Sequence, residues 1–216
     1  MTILRVTLVA ATALVLAACG GSSKHVAATT TTPGGCLSVS APPTGARHGA
    51  DPTKLLDASR TYDVTMQTNC GSFVIRLAVK TSPATAASFV SLVRSGYFDK
   101  TLFHRIVPGF IIQGGDPTAS GAGGPGYTTV DRPPATTRYT FGLVAMAKTQ
   151  TEAPGTSGSQ FFVVTGSDAG LPPEYAVLGK VVSGIAVVRR IGKLGDPSTE
   201  QPTETVELER ATVSVK

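Results

Sequence analysis

From Tyr62 to Leu77 apolar and polar residues alternate. Tyr62, Val64 and Met66 share one side, then Asn69-Cys70-Gly71-Ser72 turns the chain into Phe73, Ile75 and Leu77. A two-residue period on both sides of a turn cluster predicts a β-hairpin. The period then lengthens. After Ser82-Pro83, the apolar residues Ala86, Phe89, Val90, Val93 and Tyr97 recur at helical spacing, and Gly96 closes the segment. This predicts a helix with proline in its first turn, where the missing N–H is no loss. Aromatic and β-branched runs predict strands at 102–107, 110–114, 141–146, 160–165 and 176–182. Ser183-Gly184 introduces a second short helix with Ile185, Val188 and Ile191 on one face, and Val206 to Val215 supplies a closing strand. Many antiparallel strands with only two helices predict a mainly β fold, a closed eight-stranded antiparallel barrel capped by the helices.

Upstream of Tyr62 the periodicity is lost. Residues 1–18 read as a signal peptide: Arg5 is a positive n-region, and Val6 to Ala18 is an apolar stretch too short to span a bilayer. The stretch ends in Leu16-Ala17-Ala18-Cys19-Gly20, which resembles a bacterial lipobox. That resemblance implies lipidation of Cys19 and export, with anchorage to the bacterial cell membrane or outer membrane; the alternative is an ordinary cleaved signal with a chance cysteine. Residues 19–60 read as a flexible linker, with Gly20 to Gly35 of low complexity and a short helical turn expected near Lys54 to Ser59. Residues 61–216 form the expected folded domain.

Composition narrows the chemistry. Of 216 residues 41% are hydrophobic and 15% charged, with 24 Gly and 15 Pro, which favours a turn-rich β globule over a helical bundle. The net charge of +5 is not concentrated. From Tyr62 onward 14 Lys and Arg face 12 Asp and Glu, and no basic run is interleaved with aromatics, so a nucleic-acid partner has little support. With Cys19 set aside, Cys36 and Cys70 remain, an even pair compatible with a disulfide in an oxidising compartment; two free thiols are the alternative. Those two cysteines and three scattered histidines do not make a metal site.

The densest chemistry lies in Phe103-His104-Arg105-Ile106-Val107-Pro108-Gly109-Phe110-Ile111-Ile112-Gln113-Gly114-Gly115-Asp116, followed by Gly158-Ser159-Gln160-Phe161-Phe162-Val163-Val164. An always-charged guanidinium among apolar residues is costly unless something meets it. The nearest acid in sequence, Asp99, lies before a separate strand, so a half-buried Arg105 facing an open apolar groove is the expectation. The two blocks resemble the cyclophilins, the peptidyl-prolyl cis-trans isomerases, and the likeness runs from about Tyr62 to the C-terminus. It implies a cyclophilin-like barrel that needs no cofactor and acts as a monomer on proline-containing polypeptides. It places the catalytic arginine on Arg105 and the peptide-contacting glutamine on Gln113. The proline pocket falls on Phe110, Ile111, Phe162 and Leu171, with Tyr175 where many members have histidine. Ala147 and its neighbour Lys148 match positions whose backbone pairs with substrate, and Gln160 matches the glutamine of the second block. Simple alternation puts Phe110 on the opposite face from Ile111 and Gln113, so Pro108-Gly109 is expected to bend the strand entry.

Other readings are weaker. A hydrolase built on His104 and Ser159 lacks a nucleophile elbow. Gly114-Gly115 and Gly121 to Gly126 form no phosphate cradle, because no Lys-Ser/Thr and no helix follow. A non-catalytic module that only binds Pro-containing segments is the alternative from a different class. The sequence departs from the family at Asp168-Ala169-Gly170-Leu171, where many members carry tryptophan beside the leucine. Weak binding of cyclosporin-type drugs is therefore expected. The loop Lys148 to Gly155 is also longer than common, and Pro172-Pro173 replaces a short polar turn.

Overall fold

The computed structural model describes residues 30–216; Cys19 and the proposed signal peptide lie outside the described residues. The order of elements is β1 (Tyr62–Thr68), β2 (Gly71–Leu77), α1 (Pro83–Arg94), β3 (Thr101–Leu102), β4 (Arg105–Val107), β5 (Ile111–Gly114), β6 (Thr129–Val130), β7 (Leu143–Met146), β8 (Thr156–Ser157), β9 (Phe161–Val164), β10 (Val177–Ser183), α2 (Ile185–Ile191) and β11 (Glu207–Val215). The fold is mainly β with two helices, as the periodicity predicts, and its expected barrel takes the form of a curled antiparallel sheet of nine strands. One sheet runs β3-β11-β1-β2-β10-β7-β9-β5-β4, and β6 pairs with β8 separately. The two edge segments β3 and β4 belong to one stretch of chain, interrupted only at Phe103-His104. The expected strand 102–107 is thus broken in two, and its halves join opposite edges of the sheet. Leu102 also bridges to Asp116 just beyond β5, so the sheet curls back on itself through its own backbone.

Alternation along the strands fills the interior. Phe161 sits at its centre, with the rings of Phe89, Phe98 and Phe103 edge-on at 5.7, 6.1 and 5.9 Å. Helix α1 buries Ala86, Phe89, Val90 and Val93 against this cluster. At its N-terminus the Asp131 carboxylate accepts from the Thr85 N–H at 2.6 Å, one of the amides that the helix leaves without an internal partner.

The segment 30–60, expected as flexible linker, is instead laid along the domain. Cys36 is joined by a disulfide to Cys70 in the β1–β2 turn. The Leu37 N–H donates to the Asn69 carbonyl, and Thr61 and Lys216 exchange both backbone hydrogen bonds. Near Lys54 to Ser59 there is no helix, only a turn in which the Arg60 N–H donates to the Asp57 carbonyl. Its composition (Ala, Pro, Thr) carries no period, so such docking through single backbone bonds leaves no trace in the pattern.

Candidate active site

Strand register assembles the site. Arg105 on β4 pairs with Gln113 on β5, Gln113 pairs with Phe162 on β9, and Phe162 pairs with Ala145 on β7. Directly opposed residues in antiparallel strands share a face. The row Arg105–Gln113–Phe162–Ala145 therefore lies on the outer surface of the sheet, while Ile112, Phe161 and Val163 point inward. This outer patch is its own apolar cluster. Ile111, Phe162, Val164, Ala145 and Tyr139 are buried in it, and Phe110, Ala147, Leu171 and Tyr175 are partly buried against it.

Phe110 reaches this face because it does not belong to β5. Val107 to Phe110 form a turn closed by the Phe110 N–H on the Val107 carbonyl, with Gly109 at φ +73°. A left-handed residue there costs glycine little and any other residue more. The bend at Pro108-Gly109 brings Phe110 beside Ile111 rather than across from it.

The polar groups form a chain. Arg105 Nε donates to Glu200 Oε2 at 2.6 Å and Nη1 to Gln113 Oε1 at 3.3 Å. Gln113 Nε2 donates to Gln160 Oε1 at 3.0 Å, and Gln160 Nε2 donates to the carbonyls of Gly121 and Gly123, each at 2.9 Å. Glu200 corrects the expectation of an arginine with no acid to meet it. The pair stands at the rim, with side chains 35% and 43% exposed, rather than sealed inside. Arg105 Nη2 makes no hydrogen bond among the described residues. Glu200 is itself fixed: its φ is +59°, its N–H donates to the Asp196 carbonyl, and its own carbonyl accepts the Ile106 N–H.

Tyr175 packs edge-on to Phe162 at 5.6 Å and to Tyr139 at 5.9 Å. Tyr139 holds the Tyr175 backbone at both ends, its hydroxyl donating to the carbonyl at 2.7 Å and accepting from the N–H at 2.9 Å. Neither Tyr139 nor Glu200 was signalled by any motif. The Lys148 side chain is buried at the Tyr175 end of the patch. It pairs with Glu174 at 3.2 Å, donates to the Thr149 and Glu152 carbonyls, and lies 5.5 Å from the Tyr175 ring centre. The Ala147 N–H is already bonded to the Gln160 carbonyl at 2.9 Å.

A cavity of about 510 Å³ opens beside the row. Gln113, Ala147, Lys148 and Gln160 form one side and the loop Gly121 to Thr128 the other. It adjoins the apolar patch without including Phe110, Phe162 or Leu171. The glycine-rich loop is organised by Asp116, whose carboxylate accepts from the N–H groups of Thr118, Gly121 and Gly123 at 2.7, 2.7 and 3.1 Å. Burial pushes the Asp116 carboxyl up, but the hydrogen bonds from Thr118, Gly123 and Gly121 outweigh it and hold it below the usual carboxylate value. Amides that would cradle a phosphate are thus already occupied by an internal anion. The Ser159 hydroxyl donates to the Gly115 carbonyl at 2.7 Å and meets Tyr97 Oη at 3.2 Å. No hydrogen bond joins it to His104 among the described residues. Burial above all holds the His104 imidazole below its ordinary value. Neither the hydrolase nor the phosphate reading survives this geometry.

Residues 63–213 match the family described as "Cyclophilin type peptidyl-prolyl cis-trans isomerase/CLD". Peptidyl-prolyl cis-trans isomerase-like 1 of Gibberella zeae is 36% identical over 157 residues, covering 71% of this chain and 95% of that protein. The protein of the same name from Bos taurus is 36% identical over 159 residues, covering 72% and 94%. A solved cyclophilin type peptidyl-prolyl cis-trans isomerase of Cryptosporidium parvum, determined in the presence of the dipeptide Ala-Pro, superposes with a TM-score of 0.65 at 31% identity, covering 70% of this chain and 98% of that one. The register that sets Arg105 and Gln113 against an aromatic patch thus occurs in a chain that belongs to the cyclophilin-type peptidyl-prolyl cis-trans isomerases.

Proposed function

We propose that Arg105 drives isomerisation of an X–Pro bond whose proline ring sits on the patch of Phe110, Ile111, Phe162 and Leu171. The barrier comes from amide resonance, roughly 20 kcal/mol, and leaves the uncatalysed reaction at tens to hundreds of seconds. At the perpendicular geometry the proline nitrogen becomes pyramidal and regains a lone pair. A guanidinium N–H aimed at that nitrogen binds the twisted form better than either planar one, and only such differential binding raises the rate. An acceleration of about 10⁵ needs roughly 7 kcal/mol. One charge-assisted hydrogen bond contributes about 1.5–3 kcal/mol. The rest is assigned to the apolar grip on the ring and to Gln113 and the backbone beside Ala147 and Lys148, which hold the flanking peptide while the carbonyl turns.

The observation that carries this reading is the cross-strand row, which sets Arg105, its Nη2 unbonded among the described residues, in register with Gln113 and Phe162. The Ala-Pro dipeptide with the Cryptosporidium parvum relative supports proline as the ligand. Phe162→Ala and Arg105→Ala in a protease-coupled proline peptide assay test it. Both variants are expected to lose most of kcat/KM without cleaving the peptide themselves. Wild-type activity in either overturns the assignment.

The same reading extends to location. Arg5, the apolar stretch Val6 to Ala18 and the Leu16-Ala17-Ala18-Cys19 sequence support export and lipidation at Cys19, so the clients are exported folding chains. The Cys36–Cys70 disulfide is compatible with that compartment. Labelled palmitate should enter the wild type and not Cys19→Ala; equal labelling contradicts the anchor.

A further inference from the structure

We infer that residues 44–50 form a strap that positions the glycine-rich wall of the substrate groove, with Arg47 as its positioning residue. The strap precedes the family match, which begins at residue 63. It ties the wall at two points, before it and within it: the Gly45 N–H donates to the Pro117 carbonyl at 3.0 Å and the Gly49 N–H to the Pro125 carbonyl at 2.9 Å. Between these bonds Arg47 Nη1 donates to the Tyr97 and Asp99 carbonyls, both at 2.7 Å, just beyond the end of α1. Tyr97 in turn meets Ser159 through its hydroxyl, one residue before Gln160. Gly49 is packed so closely that an added Cβ would lie 2.5 Å from Leu92 and 3.1 Å from Pro125.

The bracketed loop supplies the Gly121 and Gly123 carbonyls that orient Gln160, and Gln160 orients Gln113 beside Arg105. The loop also lines the 510 Å³ cavity. Loop walls of small residues held by few bonds open at low free energy. Here Asp116 ties the loop from within, and the strap ties it from outside at Pro117 and Pro125. The chain on either side of the strap is fixed, ahead of it at Cys36, joined to the β1–β2 turn, and after it at Thr61, paired with Lys216. Its function is to keep the wall set for peptide that extends beyond the proline. This rests on the active-site reading above.

The test uses the full chain with Arg47→Ala, Arg47→Lys and Gly49→Leu, a short X–Pro peptide and one several residues longer. Loss of the Arg47 bonds should raise KM for the long peptide about fivefold, leaving kcat and the short peptide within about twofold. Arg47→Lys, which still donates to carbonyls, should restore part of the loss. Hydrogen exchange at Gly121 and Gly123 should quicken in step. Unchanged KM despite faster exchange at Gly45 and Gly49 overturns the inference. So does an equal loss on both peptides carried by kcat, which would mark general loosening. Should Gly49→Leu fail to fold, Arg47→Ala decides alone. Arg105→Ala is run alongside. If it keeps full activity, the active-site reading has failed, and the strap is then judged by exchange at Gly121 and Gly123 alone.

Discussion

A guanidinium bonded through Nε and Nη1 is biased toward the groove, and Glu200 supplies the shorter of the two bonds at 2.6 Å. Both partners are more than a third exposed, so the pair contributes no more than about 1 kcal/mol to folding. Its value lies in orientation. Glu200→Ala should therefore leave thermal stability nearly unchanged while kcat falls by about threefold to tenfold. In an Arg105→Ala background the same substitution should have no further effect; an equal additional loss there refutes the coupling. The residues of this site differ in how readable they are. Arg105 and Gln113 stand eight residues apart on adjacent strands, with a Pro-Gly turn between them, so their pairing follows from the motif. Glu200 lies 95 residues from Arg105 in a loop with no period, at a left-handed φ of +59°, and only the three-dimensional path brings it there. Tyr139 is hidden for a similar reason, since a buried tyrosine between loops looks like any other aromatic.

At the scale of elements, turns decide more than strands. The hairpin, both helices and the longer strands follow from periods of two and of three to four, because each has one face on the core, whereas the break at Phe103-His104 that divides the expected strand 102–107 carries no such signal. The turn Val107 to Phe110 moves a pocket residue to the other face, and strict alternation alone puts it wrongly. Tyr139 acts on an element too, since its hydroxyl holds the Tyr175 backbone from both ends. Tyr139→Phe leaves a half-buried N–H and C=O without their protein partner and should cost about 1–3 kcal/mol in unfolding experiments. Tyr175→Phe loses no such bond and should remain within about 0.5 kcal/mol of wild type; the reverse order contradicts the assignment. The Gly121 loop depends on Asp116 as a carboxylate. Its folded pKa lies below the unfolded value of about 3.9, so its contribution is complete at neutral pH and is lost as pH falls through the folded value. Protection of the Gly121 and Gly123 amides, corrected for intrinsic exchange, should hold from pH 7 to about 5 and fail only below about 4. Loss of protection near pH 6 would exclude Asp116 as its source.

Across the whole molecule, the chain closes twice. The stretch Thr101 to Val107 joins both edges of the sheet, and residues 36–61 wrap the outside from the β1–β2 turn to the C-terminal strand. The disulfide closes a loop with a sequence separation of 34, which in the chain-entropy view stabilises by roughly 3–4 kcal/mol. Replacing both cysteines by serine should lower the unfolding free energy by about that amount; a change under about 1 kcal/mol would mean that the wrapped segment holds without it. Barrel, wrap and rim carboxylate together hold one cation beside an apolar patch, ready for a twisted imide. The direct test is to measure kcat and the dissociation constant of the same proline peptide, by exchange NMR, for wild type and Arg105→Ala. The guanidinium bonds the twisted state alone, so kcat should fall by about 10- to 100-fold with affinity changed less than about threefold. A loss of affinity equal to the loss of kcat/KM, with kcat unchanged, would contradict this account of Arg105.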